Sequence, residues 1–390
     1  METVPISSVR QLQALVEEAA AKDNELKLAF KNLHQGYLNE TLERFLKARD
    51  GNIPKAFKML VDCLHWRATN DIDNILSKLI EPKEAYDAIR DSQLIGMTGY
   101  CKQGRPVFAI GVGLSGYDKA SLDKYVQSHI QINEYRDRIL LPQASKKMGH
   151  YVGTCLKILD MSSLKFSALN RLKILTAIST VDDLNYPEKT DIYYIVNPPY
   201  IFSTCWQGKL SSILKFLNSS SKDTRYTFDF VSRVEQVLNI FLCLPVQVVR
   251  PLLQERTKRK IRVLQGCGKE ELLKVMDPQV LPFFCQNDSK RGGSSKGSKN
   301  EETVDCYSSS HSFHVDLWNH IKQQSYASSR CVGPAPQPSF HVEVPEPDAE
   351  VQTIECALET ALVQLADSSA NGKGNGDVLN GISGLSVNDA

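Results

Sequence analysis

Residues 184–204 read LNYPEKTDIYYIVNPPYIFST, and the run at their centre decides the fold. DIYYIVNPP is rich in β-branched and aromatic residues, with Pro187 ahead of it and Asn197-Pro198-Pro199 closing it, so it reads as a strand. Three other runs share its texture: RPVFAIGVG (105–113), TCLKILDMSS (154–163) and RKIRVLQG (259–266). Between the first two, a helical pattern extends from Asp118 to Leu141, with Leu122, Tyr125, Val126 and His129 on one stripe. SALNRLKILTAIS (167–179) is the next helix and carries Leu169, Leu172, Leu175 and Ile178. Apolar strands alternating with helices of this length predict βα units, and hence an α/β domain whose mostly parallel sheet is covered by helices.

Upstream the texture is helical. In NETLERFLKARD (39–50), Asn39 is placed to cap, and Leu42, Phe45 and Leu46 share a face before a stop at Gly51. NIPKAFKMLVDCLHWR (52–67) sets Ile53, Ala56, Phe57, Leu60, Val61 and Leu64 at helical spacing, with Pro54 in the first turn. These helices are apolar on one side and need a surface to pack on.

Composition excludes several classes. Lys and Arg total 46 against 45 Asp and Glu, which leaves no field of one sign to hold nucleic acid. The ten cysteines are scattered without a C-x-x-C pair, the usage of a reducing compartment. METVPISSVRQLQALVEEAAAKDNE has no basic-then-apolar leader, and the longest nearly apolar run, VLNIFLCLPVQVV (237–249), is too short to span a bilayer. The expectation is a soluble cytosolic chain.

Few motifs suggest chemistry. GVGLSG (111–116) follows a strand and matches a dinucleotide-binding glycine pattern, in which backbone N–H groups approach a pyrophosphate. The acid that this fold needs on a second strand is missing, because Glu134 and Asp137 lie in the helical stretch QINEYRDRILL. A flexible strand-to-helix loop is the simpler reading, and a nicotinamide oxidoreductase is a distant alternative. Ser115 misses the nucleophile-elbow pattern. His65, His129 and His150 stand alone without metal-ligand spacing, and Asp160 ends a strand where a turn-capping carboxylate is expected.

Taken in order, LERFLKARDGNIPKAFKMLVDCLHWR (42–67), GRPVFAI (104–110), LKILDMSSLKF (156–166), YPEKTDIYYIVNPPYIFSTCW (186–206), RPLLQERTKRKIRVLQG (250–266) and ELLKVMDPQVLPFFC (271–285) resemble a known family. It is the CRAL-TRIO lipid-binding family, and within it the Sec-fourteen-like phosphatidylinositol/phosphatidylcholine transfer proteins in a plant-like form. The resemblance implies an N-terminal helical lobe and an α/β domain whose sheet floors a hydrophobic lipid pocket, with no catalytic set and no cofactor. Residues 1–24 are then an N-terminal segment, 25–80 the helical lobe and 81–285 the lipid-binding domain. Residues 286–390 form a low-complexity linker, short helices and a disordered tail. The inositol headgroup site would comprise Arg49, Glu188, Thr257 and Lys260. The carboxylate would accept from ring hydroxyls, and the cations would pair with phosphate.

The partners that the resemblance implies are phosphatidylinositol, a transient membrane surface of Golgi, endosomal or plasma membrane, and lipid kinases that receive the lipid. A tocopherol- or sterol-like ligand is the alternative. Three positions depart from the family pattern. Asp50 replaces a second basic residue after Arg49. Cys155 and Lys157 stand where Ser and Thr bind choline, which counts against phosphatidylcholine. PFFCQND (282–288) replaces a glycine pair.

Residues 208–247 interrupt one amphipathic helix, and without them STCWQ would run into VVRPLLQERT. Gly208-Lys209 can be encoded as GGTAAG, a splice-donor sequence, and FLCLPVQ by a pyrimidine-rich tract ending in CAG. The segment therefore reads as an insertion or a translated in-frame intron. Downstream, SFHVDLWNHIKQQ (312–324) has the character of a segment docking back on the domain, and EVQTIECALETALVQLAD (350–367) that of a narrow amphipathic helix.

Overall fold

The structure is a computed structural model, and it describes residues 4–163, 172–198, 255–286, 305–332 and 342–344. The chain divides into two compact units, Met1–Pro198 with Lys260–Glu346, and Pro199–Arg259 with Pro347–Ala390. Residues 208–247, the helix expected over 350–367 and the C-terminal tail lie outside the described residues.

Four helices open the first unit: α1 (Ile6–Ala21), α2 (Asn24–His34), α3 (Leu38–Ala48) and α4 (Ile53–Thr69). Local chemistry sets their ends. Asp23 caps α2 by accepting from the amides of Glu25 and Leu26, and Asn52 caps α4 by accepting from Lys55 N at 3.0 Å. Helix α3 starts at Leu38, so Asn39 lies within the first turn instead of capping it. The entry is held by Tyr37, whose ring packs on Tyr151 with centroids 4.7 Å apart. The exit is a Schellman turn: Gly51 N donates to Leu46 O and Asp50 N to Lys47 O, with Asp50 and Gly51 both at positive φ. The lobe's core joins Phe45, Leu46, Leu60 and Leu64 to Leu12 and Val16 of α1.

After a 3-10 turn (Ile72–Ser77) and α5 (Lys83–Ser92), the chain builds a five-stranded sheet in the order β1-β2-β3-β4-β5. The strands are β1 (Ile95–Tyr100), β2 (Pro106–Gly111), β3 (Cys155–Asp160), β4 (Thr190–Val196) and β5 (Ile261–Val263). Strands β2 to β5 are parallel, and β1 pairs antiparallel with β2. IGMTGY carries two glycines and little β-branching, so β1 did not read as a strand.

Helix α6 (Leu122–Tyr135) begins four residues after the expected Asp118, because Tyr117 takes a positive φ and Lys119 N donates to the Tyr125 hydroxyl. It continues through a π turn (Arg136–Leu140) into α7 (Leu141–Met148). Helix α8 (Leu172–Asn185) buries Ala177, Thr180 and Val181, while Leu175 and Ile178 are only partly buried. Helix α9 (Glu255–Lys260) leads into β5, and α10 (Lys269–Val275) follows. Helix α11 (Ser312–Val332) docks on the domain through Phe313, Leu317 and Ile321.

Strand alternation splits the core. Val107, Leu156, Ile158, Tyr194 and Val196 face α10 with Leu272 and Met276. The opposite face carries two rows in register, Phe108–Lys157–Tyr193–Ile261 and Ile110–Leu159–Ile195–Val263. Phe108 packs there against Val126, Ile130, Val181 and Phe313, whereas Ile110, Leu159, Tyr193, Ile261 and Val263 are only half-buried.

Candidate functional site

Glu188 lies two residues before β4, and Lys260 ends α9 one residue before β5. Because β4 and β5 are parallel neighbours, with Tyr193 opposite Ile261, the two side chains converge at the same end of the sheet. Lys260 Nζ sits 2.6 Å from Glu188 Oε2. Their side chains are 23% and 14% exposed, so the pair is reachable from solvent but shielded on most sides. Glu188 holds φ +59°, a left-handed conformation that costs a branched or extended side chain about 1–2 kcal/mol and persists where the surroundings demand it. Helix α3 reaches the same turn, for Arg44 Nη1 donates to Pro187 O at 3.4 Å.

Of the four expected residues, the structure thus joins Glu188 and Lys260. Arg49 forms the C-cap of α3, partly buried, with its guanidinium donating to Ala48 O. The backbone of Thr257 lies within α9. Asp50, where the family pattern has a base, is exposed at the left-handed position of the Schellman turn.

A polar cluster behind the sheet face escaped the sequence reading. His129 Nε2 lies 2.7 Å from Asp182 Oδ1, Asn133 donates to the same oxygen, and Lys157 Nζ approaches Oδ2 at 3.3 Å. Burial opposes charge on both partners, yet the attraction wins: Asp182 is held well below the usual carboxylate range by His129 and Lys157, and Lys157 is raised by Asp182. Lys157 also lies over the Tyr193 ring. One layer deeper, Arg67 clamps Glu134 with Nη1 at 2.8 Å from Oε1, and Tyr186 OH donates to that oxygen at 2.7 Å. Burial alone would raise the Glu134 pKa, but Arg67 and then Arg138 outweigh it and hold it at about 2. Charged residues among apolar ones were the available signal, but Lys157 and Asp182 are 25 residues apart and Arg67 and Glu134 are 67 apart.

GVGLSG does not form a phosphate cradle. Ser115 N donates to Gly111 O, Gly116 N to Ser92 O and Gly113 N to Asp160 O, so those amides are spent inside the protein. The Ser115 side chain is buried and ties the loop to Leu94 N and Gly111 O, and the next helix begins only at Leu122, six residues after Gly116. The oxidoreductase alternative loses its structural basis. Asp160 is a turn cap that accepts from Ser162 N and Asn197 Nδ2. His65 and His150 are exposed, and among the described residues no group of three His, Cys, Asp or Glu could hold a metal. Among the same residues no helix is long and apolar enough to cross a membrane.

Comparison with known proteins follows the same layout. The CRAL/TRIO domain pattern matches residues 90–235, and the pattern of the CRAL/TRIO N-terminal domain matches residues 8–62. The chain is 23% identical over 263 residues to the phosphatidylinositol/phosphatidylcholine transfer protein SFH9 of Arabidopsis thaliana, covering 66% of this chain and 38% of that one. It is 29% identical over 213 residues to the SEC14 cytosolic factor of Yarrowia lipolytica, covering 52% and 42%. The chain therefore spans less than half the length of these two relatives. The crystal structure of Sfh5 superposes over 70% of this chain and 85% of that one, at a TM-score of 0.43 and 14% identity. With a helical lobe and a sheet domain both matched in chain order, the protein belongs to the CRAL/TRIO family.

Proposed function

We propose that this protein binds one phospholipid and exchanges it with membranes, and that phosphatidylinositol is the lipid. The observation that carries the reading is the Glu188–Lys260 pair, set at one end of a sheet face whose half-buried row is Ile110, Leu159 and Val263. Chemically the two parts suit the two ends of such a lipid. A carboxylate accepts from ring hydroxyls and an ammonium pairs with phosphate. An apolar floor shelters acyl chains, each methylene contributing about 0.8 kcal/mol when buried. The similarity to proteins described as phosphatidylinositol/phosphatidylcholine transfer proteins supports the same class of ligand.

Phosphatidylcholine fits less well. Lys157 places a cation on that face, already engaged with Asp182, where a choline would meet like charge. Presentation of the lipid to kinases and residence on Golgi, endosomal or plasma membranes belong to this proposal too. So does the reading of 208–247 as an insertion that acts on exchange more than on binding, since a looped-out segment adds little closure entropy.

The test is mass spectrometry of lipids carried by the purified chain and by a form lacking 208–247. Phosphatidylinositol in both supports the reading and assigns the segment to exchange. Lipid in the shortened form alone keeps the pocket and makes the longer chain a non-binding form. A tocopherol or sterol in place of phospholipid, or no lipid in either, refutes it.

A further inference from the structure

A cleft lies on unit 1 beside the turn that carries Glu188, on the side of that turn where Lys189 and Arg44 meet. The end of α2 and the first turns of α3 wall one side, α7 and the Tyr151–Gly153 segment the other, and its cavity volume is about 30 Å³. Arg44, Lys189, Asp137, Thr41 and Tyr151 line it. The charges inside do not balance. Asp137 is shared by Arg136, whose Nε is 2.7 Å away, and by Lys189, whose Nζ is 3.0 Å away. Arg44 is 7% exposed and pairs with no carboxylate among the described residues. Its Nη2 donates to Thr41 Oγ1 and its Nη1 to Pro187 O, while Nε has no partner, nor has Arg136 Nη2.

Three buried cations thus share Asp137, with Asp182 acting on Arg136 from farther off and Glu40 of α3 acting on the Tyr151 hydroxyl. Burial and then the Arg44 charge push Lys189 down to about 7, the response of an ammonium short of counter-charge. The π turn makes the cluster geometrically unusual. It carries Arg136 and Asp137 as consecutive residues whose side chains meet, Nε to Oδ1, at 2.7 Å.

We infer that this cleft is a second ligand site, for a phosphate monoester, distinct from the Glu188–Lys260 pair. A dianion there would supply the missing counter-charge, accept from Arg44 and Lys189, and take a hydroxyl bond from Tyr151. Arginine favours such a group because its fork matches two phosphate oxygens. The phosphate could arrive free in solution or on a lipid headgroup, and the chemistry of recognition is the same.

The test titrates the full chain with inorganic phosphate by calorimetry, and by sedimentation with phosphatidylcholine vesicles with and without phosphatidic acid. Lys189→Gln should weaken binding about tenfold or more, Lys189→Arg should retain it, and Lys58→Gln, at an exposed position of α4, should leave it unchanged. Binding of inorganic phosphate with that pattern supports a soluble source, and binding only to vesicles with phosphatidic acid supports a lipid source. Two results overturn the site: no response to either probe, or a response that Lys189→Gln leaves intact. Equal loss in Lys58→Gln would make the binding a general response to positive charge and also overturn it. Because Lys189→Gln removes an already disfavoured charge, it should fold, and Lys189→Arg guards against a misfolded control. An unchanged content of bound lipid in Lys189→Gln separates this result from failure of the lipid reading.

Discussion

Replacing Lys260 by glutamine separates a ligand-binding pair from a structural strut, and the structure sets both magnitudes. The ammonium–carboxylate contact is 2.6 Å, but the side chains are 23% and 14% exposed, so the pair contributes at most about 1 kcal/mol to folding. Its loss should lower the melting temperature by only a few degrees in a domain of this size. A charge-assisted hydrogen bond to a lipid phosphate is worth more, about 1.5–3 kcal/mol, or roughly 10- to 150-fold in affinity. Lys260→Gln should therefore cut phosphatidylinositol transfer between vesicles by at least about tenfold while thermal denaturation barely moves. Glu188→Gln should do the same. The double variant should lose less than the two single effects added, because both groups address one headgroup. A melting temperature that collapses together with transfer, or an equal loss for a sterol and for phosphatidylinositol, would refute the reasoning and make the pair a strut between α9 and the β4 turn.

The deeper pair behaves in the opposite way. Arg67→Met strands Glu134, which is 3% exposed, and should cost about 3 kcal/mol, the lower end for a broken buried pair because Arg138 and Tyr186 still hold the carboxylate. Adding Glu134→Leu should recover part of that loss in urea unfolding. Acid supplies a related test. Glu134 is held at about 2, below its ordinary 4.5, so its contribution is complete above pH 4.5 and is lost as pH falls toward 2. Glu134→Gln should flatten that limb of a stability-against-pH curve. Lys189 gives the same sign of slope in a higher window: pushed down to about 7 in the fold, it lets stability rise from pH 7 toward its ordinary 10.5. Finally, a methyl group at Gly96 of β1 would collide with the Cys306 carbonyl, so Gly96→Ala should loosen 305–332 and expose that stretch to limited proteolysis. An unchanged cleavage pattern would show that the strand and Cys306 separate readily.

The helical lobe and the parallel sheet were legible in the sequence because their information is local. Apolar spacing places Phe45, Leu46, Leu60 and Leu64 on inward faces, and Asn52 with Pro54 marks the start of α4. The runs that became β2, β3, β4 and β5 announced themselves through dense β-branched and aromatic residues. Glu188 and Lys260 were singled out only because their flanking motifs resemble those of a family, and the fold brings the two side chains into contact. Features without a local signal were decided by tertiary structure. Strand β1, poor in β-branched residues, is a strand because β2 offers it an edge. Tyr37, not Asn39, sets the entry to α3 because its ring finds Tyr151 more than a hundred residues away. The charges of Arg67, Glu134, Asp182 and Lys157 look like solvent-facing residues along the chain and become a buried lattice only on folding. A charge has no preferred partner until packing removes water and brings a distant counter-charge within 3 Å or so, and that distance is a property of the fold.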